Sequence, residues 1–191
     1  GELGPVYGVQ WRKWKAHNRE VDQIAVLIEG LKNNPNSRRH LLSAWNVADL
    51  PSESLSPQQN ALVGNMALAP CHLLAQFFVS TTGKLSIQVY QRSADILLGV
   101  PFDLASYAFL THMIAHVCGY TVGEMVYIFG DTHIYNNHRE QVDLQLTRKP
   151  MPLPTLKAFD LRITNIDDFV ESDFQIYGYN PAPAIKAPIS I

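Results

Sequence analysis

The alternation of apolar and polar positions divides the chain into elements. Val21, Ile24, Ala25, Ile28 and Leu31 recur at helical spacing, which predicts a helix over Val21–Lys32 with one buried stripe, stopped by Asn33-Asn34-Pro35. His40–Trp45 reads as a buried strand. His72–Val79 and Leu85–Arg92 read as two strands, and Thr81-Thr82-Gly83-Lys84 between them is a hairpin signal. Phe102–Cys118 is apolar on almost every face, so it is predicted as a central helix with Gly119 as its stop. Met125–Phe129 is a further strand, and Gly130–His133 a turn into a helix over Ile134–Leu146. Pro150, Pro152 and Pro154 mark an extended linker, followed by short strands and an acidic turn at Asp167-Asp168. Two stretches carry no such period. Gly4–Trp14 is a glycine- and aromatic-rich loop, and Asn46–Asn65 is polar, turn-rich and predicted as a surface loop. Helices and strands in this order make an α+β protein.

Composition narrows the function classes. The 191 residues suffice for one domain with a sizeable core. A formal net charge of −2 implies no broad basic surface, so nucleic acid is not an expected partner. Two cysteines, Cys71 and Cys118, do not make a disulfide scaffold; reduced thiols and a cytoplasmic location fit better. No signal peptide is expected at Gly1, and no apolar run is long enough to span a bilayer, the most apolar segment being broken by His112 and His116. There is no internal repeat, metal-ligand cluster or glycine-rich phosphate loop, so no metal is expected.

Candidate chemistry concentrates between Ala69 and Asp103. Cys71 follows Ala69-Pro70, and a proline restrains the residue before it, so the thiol sits just after a rigid turn at a strand edge. Most lone cysteines are small buried hydrophobes; as a nucleophile this one needs cations that favour the thiolate. Gln91-Arg92-Ser93 offers a guanidinium fork, an amide and a hydroxyl suited to phosphate, although such a triplet is more often a solvated turn. Asp95 and Asp103 bracket an apolar turn, and Asp103 directly before a helix would ordinarily be an N-cap. Arg38-Arg39 is by default surface charge, Trp11 and Trp14 packing residues, and His133 and Tyr135 caps or packing near a helix start.

Several of these segments together resemble the thymidylate synthase family: Pro70-Cys71-His72, the run Gln91-Arg92-Ser93 through Asp95, Leu98-Gly99 and Pro101-Phe102, then GDTHIYNNH at Gly130–His138 and the closing tail IKAPISI. The resemblance covers nearly all of 1–191 apart from an inserted surface stretch at 46–65. It implies a single thymidylate synthase-like domain, a mixed β-sheet packed around a buried central helix. The opening residues Gly1–Gly8 resemble an internal loop of the family, so the chain is expected to lack the family's N-terminal portion.

The resemblance also implies roles. Cys71 is the nucleophile and Tyr7 the active-site tyrosine. Arg92 and Ser93, with Gln91 beside them, contact the nucleotide, and Arg38 and Arg39 reach its phosphate across a homodimer interface. His133 and Tyr135 hold the deoxyribose. Asp95, Leu98, Gly99, Phe102 and the terminal Ile191 line the site of the co-substrate, 5,10-methylenetetrahydrofolate. Asp103 departs from the family pattern, which has asparagine there. Asparagine can both donate and accept on a uracil edge, whereas an ionised aspartate only accepts. Cytosine, with an amino donor at C4, suits a carboxyl group better. Three readings follow: thymidylate synthase acting on dUMP, a hydroxymethylase acting on dCMP or dUMP in which water replaces the hydride, and a non-catalytic remnant that binds nucleotide or a partner subunit.

Overall fold

The computed structural model describes residues 1–190 of the chain. They form two compact units, Gly1–Ala94 with Tyr120–Asp131, and Asp95–Gly119 with Thr132 onward. No helix among the described residues is long and apolar enough to cross a membrane.

The first unit begins with helix α1, Tyr7–Arg12, in the stretch whose glycines suggested a loop. A short hairpin follows, β1 (Trp14–Ala16) with β2 (Arg19–Val21). Helix α2, Gln23–Asn33, matches the apolar stripe, with Ile24, Leu27 and Leu31 buried and the Asp22 side chain capping Ala25 N. Strand β3 is Leu41–Ser43. Gln23 ties these pieces together: its amide donates to the carbonyls of Gln10 and Ser43 and accepts from Ser43 N.

The sheet has the order β3-β4-β5-β6, where β4 is His72–Val79, β5 is Lys84–Asp95 and β6 is Thr121–His133. Strand β4 is antiparallel to both its neighbours, β3 and β5. Strand β6 runs with β5: Thr121 N reaches Gly83 O, Glu124 N reaches Ser86 Oγ, and Gly130 lies against Arg92 O, so both strands advance together. The sheet is therefore mixed. A parallel pair needs a crossover, and between β5 and β6 the chain passes through a 20-residue helix, α4.

Strand period separates two faces. Phe77 is 1% exposed and its neighbour Phe78 is 63% exposed. With Phe77 go Leu42, Ala75, Leu85, Ile87 and Val89, all buried. With Phe78 go Leu41, Leu74 and Tyr90, all open to solvent.

The segment at 46–65 is more ordered than its composition suggests. It holds helix α3, Pro57–Leu62, with a capping box between Ser56 and Gln59. Asn60 is 1% exposed; it accepts from Ser52 N and donates to the carbonyls of Ser52, Leu55 and Ser56. One amide side chain thus replaces the water that a polar loop would otherwise need.

In the second unit, α4 spans Gly99–Cys118 and stops at Gly119, whose φ of 77° is the left-handed C-cap expected of it. The helix starts earlier than its apolar run. Leu98 is the N-cap position and makes no side-chain cap, so Asp103 lies inside the first turns rather than at the cap. Burial is one-sided: Tyr107, Thr111, Ile114 and Ala115 are buried, but Phe102 is 74% exposed. Phe109, His116, Phe159, Phe169 and Phe174 form an edge-on aromatic cluster. His116 anchors it by a ring nitrogen 3.1 Å from Asp160 O and 3.0 Å from Ile163 O. A two-stranded sheet, β7 (Thr155–Leu156) with β8 (Ile176–Tyr177), follows the proline linker, and Ile166–Asp168 is a 3-10 turn. The helix expected over Ile134–Leu146 is shorter. Tyr135 is extended, Asn136–His138 is a 3-10 turn, and helix α5 is Arg139–Leu146.

Replacing Asn60 by leucine removes every one of these bonds while keeping the size of the side chain. Stability should fall by about 1–3 kcal/mol, the usual cost of buried groups left unpaired. Native-state proteolysis should then cut within 46–65 at lower protease concentration; an unchanged cutting rate would show the segment to be held by something else.

Candidate active site

In the first unit, the segment that carries Cys71 is fixed at every backbone group near the thiol. Its N–H donates to the Tyr7 hydroxyl at 2.9 Å. Its carbonyl accepts from Arg92 N at 2.8 Å. The Arg92 guanidinium donates Nε to Pro70 O at 2.8 Å and Nη2 to Ala69 O at 2.9 Å. Three successive carbonyls, 69 to 71, are thereby gathered by one residue. The register slips between His72 and Leu74, a β-bulge at the start of β4. Bulges re-aim side chains at strand ends, and here the bulge follows the thiol directly. Cys71 is half-buried and unbonded to any other sulfur.

Aromatic residues complete this end. Tyr7 stacks on His72 at 4.0 Å with the rings 9° apart, and Trp11 tilts against the same imidazole at 6.4 Å. The Trp45 ring lies 5.6 Å from the Arg92 guanidinium carbon. Helix α1, which the glycine-rich sequence concealed, is what presents Tyr7 and Trp11 from one short element.

Gln91 is buried and used from both ends: Tyr127 Oη donates to its carbonyl oxygen at 2.8 Å, and its nitrogen donates to Ser93 O at 2.9 Å. Ser93 follows Arg92 on β5 and is half-buried. Gly130 on β6 is required by this arrangement, since a Cβ there would come within 2.7 Å of Arg92 O and 3.1 Å of Tyr90 Oη. Arg38 and Arg39 lie between α2 and β3. Both are exposed, and neither guanidinium is in an ion pair among the described residues.

In the second unit, Asp95 closes the turn that leads into α4, while Asp103 lies within the helix. Its Oδ1 accepts from Leu97 N at 3.0 Å and Leu98 N at 3.3 Å. A Cβ on Gly99 would lie 3.7 Å from Asp103 Oδ2 and 3.7 Å from the Asp95 side chain, so both aspartates flank that glycine. Leu98 and Gly99 are half-buried, and Phe102 offers an open ring. His133 and Tyr135 meet edge-on at 5.0 Å, and Tyr135 meets the buried His138 at 5.5 Å. Ile191 lies outside the described residues.

Of the expected site residues, the structure links Tyr7, Cys71 and Arg92 by hydrogen bonds, Gln91 to Ser93, Asp95 to Asp103 around Gly99, and His133 to Tyr135. Two participants escaped the sequence reading. His72 stands next to Cys71, but its partners are more than sixty residues away, and Trp45 read only as the end of a strand.

A half-buried thiol beside a strand bulge, with a phenol on its amide and a guanidinium on the two preceding carbonyls, is a candidate nucleophile. Comparison with known proteins makes this specific. The whole chain, residues 1–191, matches the family model described as thymidylate synthase. It is 55% identical over 192 aligned positions to thymidylate synthases of Francisella tularensis subsp. holarctica, from strains FTNF002-00 / FTA, OSU18 and LVS. The match covers 100% of this chain and 68% of each relative. The chain belongs to the thymidylate synthase family. Its activity is a methyl transfer that makes thymidylate, with methylenetetrahydrofolate as co-substrate.

Gly130→Ala should destabilise by about 1–3 kcal/mol through overpacking against the Arg92 carbonyl. Gly8→Ala in α1, where nothing lies within 4 Å of the new methyl, should not destabilise at all. Denaturant midpoints of the two variants measured side by side check the contrast.

Proposed function

We propose that Cys71 initiates thymidylate synthesis by attacking C6 of dUMP. A new Sγ–C6 bond takes the electron pair of the C5=C6 double bond toward O4, leaving C5 nucleophilic. Methylenetetrahydrofolate supplies the one-carbon unit and the hydride that reduces it, so the products are dTMP and dihydrofolate. The C5 proton is lost once the one-carbon unit is attached, and the hydride reaches the exocyclic methylene as the sulfur leaves C6, which restores the C5=C6 double bond. The observation that carries this reading is the double tether on Cys71, with Tyr7 on its amide and Arg92 on its carbonyl. A nucleophile held at both sides of its own Cα keeps one attack direction through bond formation and bond release.

Two Arg92 donors are spent on backbone carbonyls, and the rest of its fork, with Ser93, is available to a phosphate. Gln91, already bonded from both ends, holds the strand at the edge of the nucleotide. His133 and Tyr135 take the deoxyribose hydroxyl. Asp95, Leu98, Gly99, Phe102 and Ile191 serve the folate. Tyr7 assists proton movement at the reacting ring.

Arg38 and Arg39 reach the phosphate of a partner subunit's nucleotide in a homodimer. Two features support the dimer: both arginines are exposed and in no ion pair among the described residues, and the sheet leaves one apolar face open. Leu41, Leu74, Phe78 and Tyr90 on that face are joined by Val126 and Ile128 of β6, which alternate with Tyr127, bonded to Gln91 on the buried side. Both cysteines are free, which fits a cytoplasmic enzyme.

Asp103 favours a second reading, transfer to dCMP with water in place of hydride. A carboxyl group accepts from the cytosine amino group, and when protonated it donates to N3; against uracil O4 an ionised carboxylate meets lone pair with lone pair. Such a mismatch costs about 1–3 kcal/mol, roughly tenfold in selectivity.

Assays with dUMP and with dCMP, each with methylenetetrahydrofolate, separate the two. Dihydrofolate release with dUMP supports the synthase; hydroxymethylated dCMP without dihydrofolate supports the second reading. Cys71→Ala should lower either activity by at least about a thousandfold, because the covalent route is lost. Retained turnover in that variant would remove the proposed nucleophile. Asp103→Asn should raise the ratio of kcat/KM for dUMP over dCMP by roughly tenfold or more, and an unchanged ratio would show that this side chain does not read the base.

A further inference from the structure

Arg92 is asked to do two things at once, hold the nucleophile segment and present charge to an anion. Arginine is long and flexible, and hydrogen bonds at Nε and Nη2 alone leave the plane of the fork free to swing. The structure supplies a second restraint. The Trp45 ring covers the guanidinium at 5.6 Å, within the range of a cation–π contact.

Trp45 is itself held rigidly. It stands between Ala44, fully buried with its N–H on Leu73 O at 2.8 Å, and Asn46, 7% exposed. Asn46 Nδ2 donates to Gln10 Oε1 and to Asp49 Oδ2, both at 3.1 Å, and Gln10 Nε2 donates to Asp49 Oδ2 at 2.7 Å. Gln10 is buried as well, and its amide reaches Pro5 O. This closed polar network belongs to α1 and the 46–49 turn and touches no thiol or arginine. Its one evident product is a fixed backbone on the far side of Trp45.

We propose that Trp45 is a positioning residue for anion recognition: its indole face locks the Arg92 fork in the plane that serves the Pro70 and Ala69 carbonyls, so that the remaining N–H donors converge on a phosphate. The inference rests on the reading of Arg92 as a phosphate ligand. Trp45 touches no substrate. It acts by removing rotamers that Arg92 would otherwise lose on binding, which puts its effect on affinity for the anion and not on the chemical step.

The test compares Trp45→Phe, Trp45→Leu and Arg92→Ala in the intact protein. Steady-state kinetics with dUMP and methylenetetrahydrofolate give KM and kcat, and inhibition by inorganic phosphate reports the anion site without the base. Alkylation of Cys71 by iodoacetamide in the free enzyme reports whether the nucleophile segment is still in place. Trp45→Leu should raise KM for dUMP and weaken phosphate inhibition by a similar factor, about threefold to tenfold. Its kcat should stay within about twofold and its alkylation rate should be unchanged. Trp45→Phe, which keeps a ring face, should recover most of the affinity. Equal losses in the phenylalanine and leucine variants would overturn the proposal, as would a fall in kcat with KM and phosphate inhibition untouched. If Arg92→Ala weakens phosphate inhibition and Trp45→Leu does not, Trp45 has no positioning role while the reading of Arg92 stands. If Arg92→Ala leaves phosphate inhibition unchanged, that reading fails and takes the proposal with it.

Discussion

One arginine organises the reactive end of this protein. By its own amide and two of its guanidinium nitrogens, Arg92 binds the carbonyls of three consecutive residues, Ala69, Pro70 and Cys71. Charge-assisted bonds of this kind are stronger than neutral ones, and here they replace the ladder that Pro70 interrupts. The result is a short extended segment stiff enough to aim a thiol yet not part of the regular sheet. The bulge at the start of β4 follows from the same compromise: the chain must leave the Arg92 tether and rejoin the antiparallel register with β5 one residue out of step.

The position of Arg92 is in turn a consequence of sheet order. Strand β5 lies inside the sheet, with β4 on one side and β6 on the other. A side chain near the end of an interior strand is braced from both neighbours. From β4 come the carbonyls just before His72, and from β6 comes Gly130, whose missing side chain lets the backbone close on Arg92 O. Tyr127 of β6 holds Gln91 one residue earlier. The parallel pairing of β5 with β6 is what allows this, because the same ends of both strands arrive together.

Elements governed by local rules were legible in the sequence. The α2 stripe, the hairpin of β4 and β5, and the Gly119 stop of α4 depend on spacing, turn chemistry and a positive φ, all of which are written within a few residues. What escaped depends on distant partners. Helix α1 is held by Gln10, whose bonds run to Pro5 and Asp49, and nothing in a glycine- and aromatic-rich run announces a buried glutamine. Asn60 organises α3 by the same means. At Asp103 and Ile134 the local rules misled. An aspartate before an apolar run looks like a cap, but the helix begins four residues earlier, after a turn in which Asp95 bonds the amides of Leu97 and Leu98. The apolar run through Ile134 looks helical, but Tyr135 is extended and meets the ring of His133.

The resemblance to thymidylate synthases named most of the candidate residues but not their mechanical supports. Cys71 and Arg92 lie in the motifs that carry the resemblance, and Tyr7 joins them through the Cys71 amide. Trp45 and the Gln10–Asn46–Asp49 network lie outside those motifs: the indole faces the Arg92 guanidinium, and the network ties down the backbone beside it. The two faces of the sheet show the same division. The buried face, Phe77 with Ile87 and Val89, is an ordinary core and would stabilise the sheet in any protein. The open face, Phe78 with Leu74 and Tyr90, gains nothing for an isolated chain, since exposed apolar area of this kind contributes to stability only when something covers it. Retaining a phenylalanine at 63% exposure beside one at 1% therefore points to a function for the outer face that the folding of a single chain does not require.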